Sequence, residues 1–335
     1  MSAPILFVGV AEHRQRAELA PAPMPLDRLR SEAVEAEAFY RRLNEAGGRC
    51  SLLCGRDALA EQLQWAANLS GASHVLFERG ALHQTPSTII YPDQSRMVSG
   101  IKPNEATLVR QLAMRTAGVR DVVLLPMPDC SQGSVDVALL AAAAALRAGA
   151  RLTISFRGRQ ICGVNRPQMW NLAQQADLLQ LSSGALARLL GPRATGSVAC
   201  DIAQARSQGL PGDVVVTRGA LGPIGWLGEG WAHAAGIALP AVDLERGRAA
   251  FVAALVADGG LAFQGQRALS RASKAGALAV GGVEFDSKSL DIRAAQYPVA
   301  GPVIVDEGYR HRRAMVTAAV LLVSATIAAV ATLVP

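Results

Sequence analysis

Short apolar runs alternate with longer segments of helical periodicity along most of the chain. The first run, ILFVGV at Ile5–Val10, has the length and composition of a buried strand. Further strands are predicted at 49–55, 74–80, 88–98, 121–128, 151–156, 177–181 and 212–217, and helices at 31–46, 58–69, 105–117, 134–148, 166–175, 184–191 and 269–280. This alternation predicts an α/β fold with a doubly wound, mainly parallel sheet and helices on both faces.

Two connecting segments depart from this alternation. Residues 11–30 are rich in charge and proline, which predicts a loop or an extended arm. The glycine-rich segment GALGPIGWLG predicts a turn between two strands, and it carries Trp226, with Trp231 shortly beyond it. The two tryptophans are interpreted as a packing pair, with a partner anchor as the alternative.

The C-terminal segment predicts a transmembrane helix. Ala314 to Val334 contains no charged residue, and at about 1.5 Å rise per residue it spans the ~30 Å core of a bilayer. Arg310, Arg312 and Arg313 precede it, which by the positive-inside tendency places the preceding chain on the cytoplasmic face. The predicted organisation is a domain over 1–308, a basic linker over 309–313 and a single-pass anchor over 314–335. A buried C-terminal core helix is the alternative.

Composition narrows the function classes. Half of the 335 residues are apolar and the net charge is +6, but no long block of like charge could track a nucleic-acid backbone, so nucleic-acid binding is not expected. The histidines lack metal-ligand spacing, and no G-x-x-x-x-G-K-[ST] loop or G-x-S-x-G elbow occurs. The cysteines predict reduced thiols rather than a disulfide framework or zinc site; they are Cys50, Cys54, Cys130, Cys162 and Cys200.

Three stretches, in this order, resemble the PfkB/ribokinase family of carbohydrate and nucleoside kinases. They are GDVVVTRGALGPIGW at 212–226, VDLERGRAAFVAALV at 242–256 and RALSRASKAGALAVG at 267–281. The resemblance implies a ribokinase-like fold, with a lid, if present, from about 11–30 and 85–103. An active member would transfer phosphate from ATP to an alcohol group with the help of magnesium.

The second stretch departs from the family at the catalytic turn, which there reads approximately D-T-T-G-A-G-D-A-F. Asp243 and Phe251 match its two ends. Between them stand Arg246, Gly247, Arg248 and Ala249. By this resemblance Ala249 occupies the position of the catalytic aspartate, and a methyl group cannot accept a proton. The stretch is predicted to form a strand end, a turn with one glycine and an apolar helix.

Other family positions are also altered. The resemblance implies an N-x-x-E pattern for magnesium and phosphates where this chain has Ser182 and Ala185. Ser155 and Phe156 stand where an aspartate is common, and LRSEAVEAEAF at 29–39 lacks the sugar-binding Gly-Gly turn.

One nucleotide-side element survives. Thr217, Gly219 and Gly222 match the family's T-x-G-x-x-G turn. A residual nucleotide or anion site, assisted by Arg246, Gly247 and Arg248 at a helix N-terminus, is one interpretation. A turn retained because the fold needs it is the other.

The leading hypothesis is therefore a catalytically impaired pseudokinase, tethered to the membrane and acting as a scaffold, assembly factor or accessory subunit of a membrane complex. No cofactor is expected unless activity or nucleotide binding is retained, in which case ATP and magnesium are implied. The alternatives are a diverged but active sugar or nucleoside kinase, using Asp243 or Glu245 as base, and a nucleotide or sugar sensor without turnover. The oligomeric state is open.

Overall fold

The computed structural model describes residues 5–16, 48–69, 75–90, 96–210, 212–228, 230–240, 244–257, 261–286 and 288–300. The strands are β1 Ile5–Val10, β2 His13–Arg16, β3 Gly48–Cys54, β4 Val75–Arg79, β5 Ser87–Ile90, β6 Arg96–Val98, β7 Asp121–Leu124, β8 Arg151–Phe156, β9 Leu178–Ser182, β10 Asp213–Thr217, β11 Ile224–Leu227, β12 Gly230–His233, β13 Gly236–Ile237 and β14 Val299–Ala300. The helices are α1 Ala58–Leu69, α2 Glu105–Thr116, α3 Gln132–Arg147, α4 Arg166–Gln174, α5 Ser183–Leu190, α6 Val198–Ser207, α7 Leu244–Ala257, α8 Leu261–Val280 and α9 Leu290–Ala294.

The main sheet has nine strands in the order β12-β11-β10-β9-β8-β7-β1-β3-β4. The seven strands from β10 to β4 pair in parallel, while β11 and β12 add an antiparallel edge. The strand order runs outward in both directions from β1 and β7, which is the doubly wound arrangement. The prediction of a mainly parallel α/β sheet is confirmed.

Alternate residues of the central strands enter two separate cores. In β1, Leu6 and Val8 pack with α2 to α6, whereas Ile5 and Phe7 pack on the opposite face with α1, α7 and α8. Both faces are therefore apolar, as expected for parallel strands covered by helices on two sides. Burial of one such side chain stabilises the fold by about 1.5–3 kcal/mol.

Local capping explains where several helices begin. Ser131, Ser182 and Ser197 each accept a hydrogen bond from the backbone N–H three residues later, at the start of α3, α5 and α6. Gly149 follows α3 with φ 69, the left-handed conformation that favours glycine at a helix end.

Some elements differ from the sequence prediction. Strand β2 lies in the segment predicted to be a loop. Its sequence, HRQR, has no apolar alternation, so the sequence pattern does not indicate a strand. The strand forms by pairing with β5. Strands β12 and β13 lie where no strand was predicted. Helix α6 was missed although its buried residues, Val198, Ile202 and Ala205, have helical spacing.

A second sheet combines β2, β5 and β6. Its strands fall within the two ranges from which a lid was predicted. Its attachment to the main sheet involves Asp57, whose carboxylate accepts hydrogen bonds from the N–H groups of Thr85, at 2.6 Å, and of Ala60, at 3.0 Å.

Several predictions concern residues that the structure does not describe. These are the helix at 31–46, the domain boundary at 308 and the span from Ala314 to Val334 with Arg310, Arg312 and Arg313. Within the described ranges, no helix combines the length and the apolar character needed to cross a bilayer.

Candidate functional site

The carboxyl ends of the parallel strands form the edge where ligands bind in open α/β sheets, at the point where the strand order reverses. We call this the carboxyl edge. Strands β7, β8, β9 and β10 end here, and the connections that follow them begin at residues 125, 157, 183 and 218. The residues singled out in the sequence at 155, 182 and 217 lie in or next to these connections.

The turn after β10 carries the retained T-x-G-x-x-G motif. Gly219 and Gly222 have φ of 59 and 75, so both adopt the left-handed conformation. A Cβ at Gly222 would lie 2.1 Å from the carbonyl oxygen of Ala234, and one at Gly236 would lie 1.9 Å from that of Ala220. The close approach of the turn to the segment before β13 therefore requires glycine at both positions, whether or not a ligand binds.

Arg218 fills the inside of this turn. Its side chain is 8% exposed, and its guanidinium donates to the carbonyl oxygens of Gly222, at 3.0 Å, and Leu221, at 3.2 Å. Charged donors form stronger hydrogen bonds than neutral ones, so these contacts hold the turn in shape from within. The turn is therefore preformed by the protein's own contacts.

A buried chain of polar side chains, which we call the polar relay, runs beneath the carboxyl edge through Ser155, Gln180 and Thr217. Ser155 Oγ donates to Gln180 Oε1 at 2.5 Å, and Gln180 Nε2 lies 3.5 Å from Thr217 Oγ1. The Gln180 amide also donates to the Leu181 carbonyl at 3.1 Å. Sequence reasoning did not single out Gln180, although a glutamine within the apolar run DLLQL of a doubly covered strand was a usable signal.

Ser182 and Ala185 are the residues for which the sequence resemblance implied an asparagine and a glutamate. Ser182 Oγ accepts from the Ala185 N–H at 3.2 Å, which makes Ser182 the N-cap of α5. Ala185 is fully buried beside the 3₁₀ turn at Gly158–Gln160. Both side chains therefore contribute to local structure and neither offers a charge to a metal ion.

The stretch predicted to form a glycine-containing turn lies inside helix α7. The described helix begins at Leu244, so the N–H groups of Arg248 and Ala249 lie beyond the first four, which alone lack intrahelical partners. Leu, Glu, Arg and Ala favour helix, and one internal glycine costs about 1 kcal/mol, too little to break it. The prediction of a turn is wrong, and any anion at this helix end would meet Leu244 to Gly247 instead.

Gly247 has a packing role in this helix. A Cβ at Gly247 would lie 1.9 Å from Val280 Cγ2 and 2.9 Å from the carbonyl oxygen of Gly276, both in α8. A Cβ at Gly276 would in turn lie 3.2 Å from the carbonyl oxygen of Gly247. The two glycines let α7 and α8 touch backbone to backbone, and Ala249, two residues further on, is buried. Asp243 and the side chains of Glu245 and Arg246 lie outside the described part of the chain.

The connections after β8, β9 and β10 are basic or neutral. The first reads RGRQ from Arg157, the second SGAL from Ser183 and the third RGAL from Arg218, so none contains a carboxylate. Arg188 in α5 donates to the Gly158 carbonyl at 3.0 Å, which adds a further guanidinium to the same edge.

Carboxylates at this edge follow β1, β3 and β7, at Glu12, Asp57 and Asp129. Asp129 accepts from the Ser131 N–H at 3.2 Å, from Ser131 Oγ at 2.8 Å and from Ser134 Oγ, so it braces the start of α3. Burial favours a higher pKa for Asp57, but hydrogen bonds from Thr85 and Ala60 outweigh it and hold the pKa of that carboxyl below its usual value. In the ranges that the structure covers, no three His, Cys, Asp or Glu side chains group to hold a metal ion.

Known kinases share this architecture. A fructokinase from Vibrio cholerae O395 with bound fructose, ADP and calcium has TM-score 0.61 and 17% identity, covering 87% of this chain and 99% of that one. A fructokinase from Xylella fastidiosa with bound ATP has TM-score 0.62 and 17% identity over 86% and 94% of the two chains. An aminoimidazole riboside kinase from Salmonella enterica has TM-score 0.60 and 17% identity over 86% and 98%.

No family model and no curated protein matches the sequence. At these identities the structural likeness establishes the fold, so the chain has a ribokinase-like fold. The expectation drawn from the family resemblance is confirmed at that level.

Proposed function

We propose that the protein is a catalytically impaired, ribokinase-like pseudokinase that acts as a scaffold, assembly factor or accessory subunit at a membrane. The observation that carries the proposal is the continuous helix across Arg246 to Ala249, with Ala249 buried and Gly247 packed against α8. A general base at this position would contribute about 10²–10⁴-fold to the rate, and a buried methyl group contributes none of it.

The absence of acidic side chains from the connections after β8, β9 and β10 supports the same proposal. Phosphoryl transfer depends on electrostatic stabilisation by a metal ion held near the phosphates, usually by carboxylates. Ser182 caps a helix, Ala185 is buried, and Ser155 belongs to the polar relay. Three kinase positions have thus acquired structural roles in this chain.

Membrane attachment through Ala314 to Val334 is part of the proposal. In this arrangement the ribokinase-like domain lies on the cytoplasmic face, next to Arg310, Arg312 and Arg313, with a membrane protein as its partner. A pull-down from detergent extract, with the full chain and with a chain lacking residues 314–335, tests this part. A defined membrane protein should accompany only the full chain, and equal recovery of the truncated chain from membranes would contradict the anchor.

The catalytic part is tested with the purified full chain, ATP, Mg²⁺ and a panel of sugars and nucleosides. We expect ADP release no faster than the uncatalysed background. An ordinary turnover of about 1–10³ s⁻¹ on any of these alcohols would overturn the proposal.

A diverged but active kinase is the second candidate, favoured by the full-length likeness to kinases crystallised with ATP or ADP. A nucleotide or sugar sensor without turnover is the third candidate, and the preformed turn at Thr217 to Gly222 favours its nucleotide form. Calorimetric titration with ATP and Mg²⁺, together with an ADP-release assay in the presence of the sugars and nucleosides, separates the three. The scaffold shows no saturable heat, the sensor shows saturable heat without ADP release, and the kinase shows both.

A further inference from the structure

Two cysteines far apart in sequence meet at the carboxyl edge. Cys130 lies between β7 and α3, next to the N-cap Ser131, and Cys162 lies between β8 and α4. Both are half-buried. The two side chains are neighbours that influence each other's ionisation, and each remains partly open to small solutes.

Asn165 fixes the backbones of the two cysteines relative to each other. Its side chain is 3% exposed, and its Nδ2 donates to the Cys130 carbonyl at 3.1 Å and to the Gln160 carbonyl at 2.8 Å. Its Oδ1 accepts from the Cys162 N–H at 2.9 Å. A buried side chain with hydrogen bonds to both connections holds them side by side, so the proximity of the two cysteines is built into the fold.

The surroundings of the two thiols differ. The backbone N–H of Asn165 and the Cys130 thiol both donate to the Cys162 sulfur and hold the pKa of Cys162 below its usual value. Burial, together with the neighbouring Cys162 sulfur, raises the pKa of Cys130. Cys162 is thus suited to attack an oxidant first, and Cys130 to resolve the product.

We propose that Cys130 and Cys162 are a redox modification site that closes to a disulfide on reaction with a hydroperoxide. The Cys162 thiolate attacks one peroxide oxygen, the O–O bond breaks, and the products are a sulfenic acid and, for hydrogen peroxide, one water. The Cys130 sulfur then attacks the sulfenic sulfur, the S–O bond breaks, and a second water leaves. Two thiols and one peroxide give one disulfide and two waters, and a dithiol reductant reverses the change.

The other three cysteines provide internal controls. Cys50 and Cys54 are buried in β3, and the rise of four strand positions separates them by about 13 Å, too far to bridge. Burial raises the pKa of Cys54 to about 12, which keeps this thiol protonated and unreactive. Cys200 is exposed in α6, and its oxidation shows how an exposed thiol outside the Cys130–Cys162 pair reacts.

Peptide mapping of the full chain tests the proposal. The chain is treated with a small molar excess of hydrogen peroxide, alkylated with iodoacetamide, digested without reductant and analysed by mass spectrometry. We expect a linked peptide pair containing Cys130 and Cys162, lighter by about two hydrogen atoms than its reduced sum and restored by dithiothreitol. The proposal is overturned if Cys130 and Cys162 both stay reduced, and are therefore alkylated, while Cys200 is oxidised. It is also overturned if either of the two forms a disulfide with a different cysteine.

Matched variants assign the roles within the pair. Cys130→Ser should leave a sulfenic acid at Cys162 that dimedone captures, and Cys162→Ser should leave Cys130 reduced at the same peroxide dose. Cys200→Ser should form the linked pair as the unmodified chain does. Dimedone capture at Cys130 in place of Cys162 would contradict the assignment of the attacking thiol. Peptide mapping of the unmodified chain tests whether the disulfide forms, even where a variant fails to fold.

Discussion

The two edges of the main sheet differ in the charges they carry. At the amino ends of the strands, which we call the amino edge, Asp121 opens β7 and pairs with Arg120 and, at 2.6 Å, with Arg151. Asp177 accepts from the Leu152 N–H at 2.7 Å, and Asp213 opens β10 and accepts from the Gly228 N–H at 2.7 Å. At the carboxyl edge, the connections after β8, β9 and β10 contain no acidic side chain.

The acidic side chains near β7 to β10 thus lie mainly where they stabilise the sheet, and not where a kinase site needs them. A phosphotransferase concentrates acidic and metal-binding groups where the strands end, near the transferred phosphate. In this chain Asp121, Asp177 and Asp213 bind backbone N–H groups or arginines where β7, β9 and β10 begin. At the carboxyl edge, hydrogen bonds within the protein hold the helix caps, the preformed turn and the polar relay.

Replacement of Gly222 by alanine is expected to have the largest effect on the carboxyl edge. The new Cβ would meet the Ala234 carbonyl oxygen at 2.1 Å and would occupy a backbone conformation with φ 75. Strain and overpacking together should lower the free energy of unfolding by about 3 kcal/mol. Urea denaturation measures the change.

Gly219→Ala is the matched control, because it shares the positive φ but has open space around the new Cβ. This replacement should lower the free energy of unfolding by only about 1 kcal/mol. A Gly222→Ala protein as stable as the unmodified one would show that the turn is not required by packing, and would favour retention for a ligand.

At the amino edge, Asp121→Ala should lower the free energy of unfolding by about 2 kcal/mol. The carboxylate is nearly buried, and its loss leaves two partly exposed arginine side chains without their acceptor. Asp291→Ala removes an exposed ion pair with Lys274 and should cost under about 0.5 kcal/mol. Equal effects of the two replacements would contradict the structural role assigned to the amino edge.

Disruption of the polar relay should lower the free energy of unfolding by a smaller amount. Ser155→Ala leaves Gln180 Oε1 buried without this donor, which should cost about 1–2 kcal/mol in urea denaturation. Ser207→Ala removes an exposed hydroxyl at the end of α6 and should cost less than about 0.5 kcal/mol. If Ser155→Ala left the free energy of unfolding unchanged, the polar relay would not stabilise the sheet.

The sequence was most informative where the pattern was local. Apolar runs predicted the strands of the main sheet except β12, and α1 over 58–69, and the family pattern indicated the fold. The turn at Arg246 to Ala249 was mispredicted because the family pattern was preferred to the local helix propensity, and the packing of Gly247 on Gly276 of the next helix has no sequence pattern. Long-range pairs such as Ser155 with Gln180, or Cys130 with Cys162, have no sequence pattern, since only the strand order brings them together.

The smallest predicted effect concerns acid stability, in which the two edges should respond in opposite directions. Asp57, beyond the carboxyl end of β3, has a lowered pKa, so its contribution to stability is present at neutral pH and is lost as pH falls through the folded pKa. Burial, only partly offset by the Gly228 N–H and by Arg206 and Arg151, raises the pKa of Asp213 at the amino edge. Its ionised form therefore weakens the folded state as pH rises above the usual aspartate value of about 4.

Asp57→Asn and Asp213→Asn are compared by urea denaturation between about pH 3 and pH 7. Asp57→Asn should be less stable than the unmodified chain at pH 7, by less than about 1 kcal/mol, and the difference should narrow in acid. For Asp213→Asn the sign should reverse, because asparagine keeps an acceptor for Gly228 and removes a buried charge, so the variant should gain stability at neutral pH. A lowered stability of both variants at pH 7 would mean that Asp213 stabilises the sheet as an ion, and that its contacts with arginine outweigh its burial.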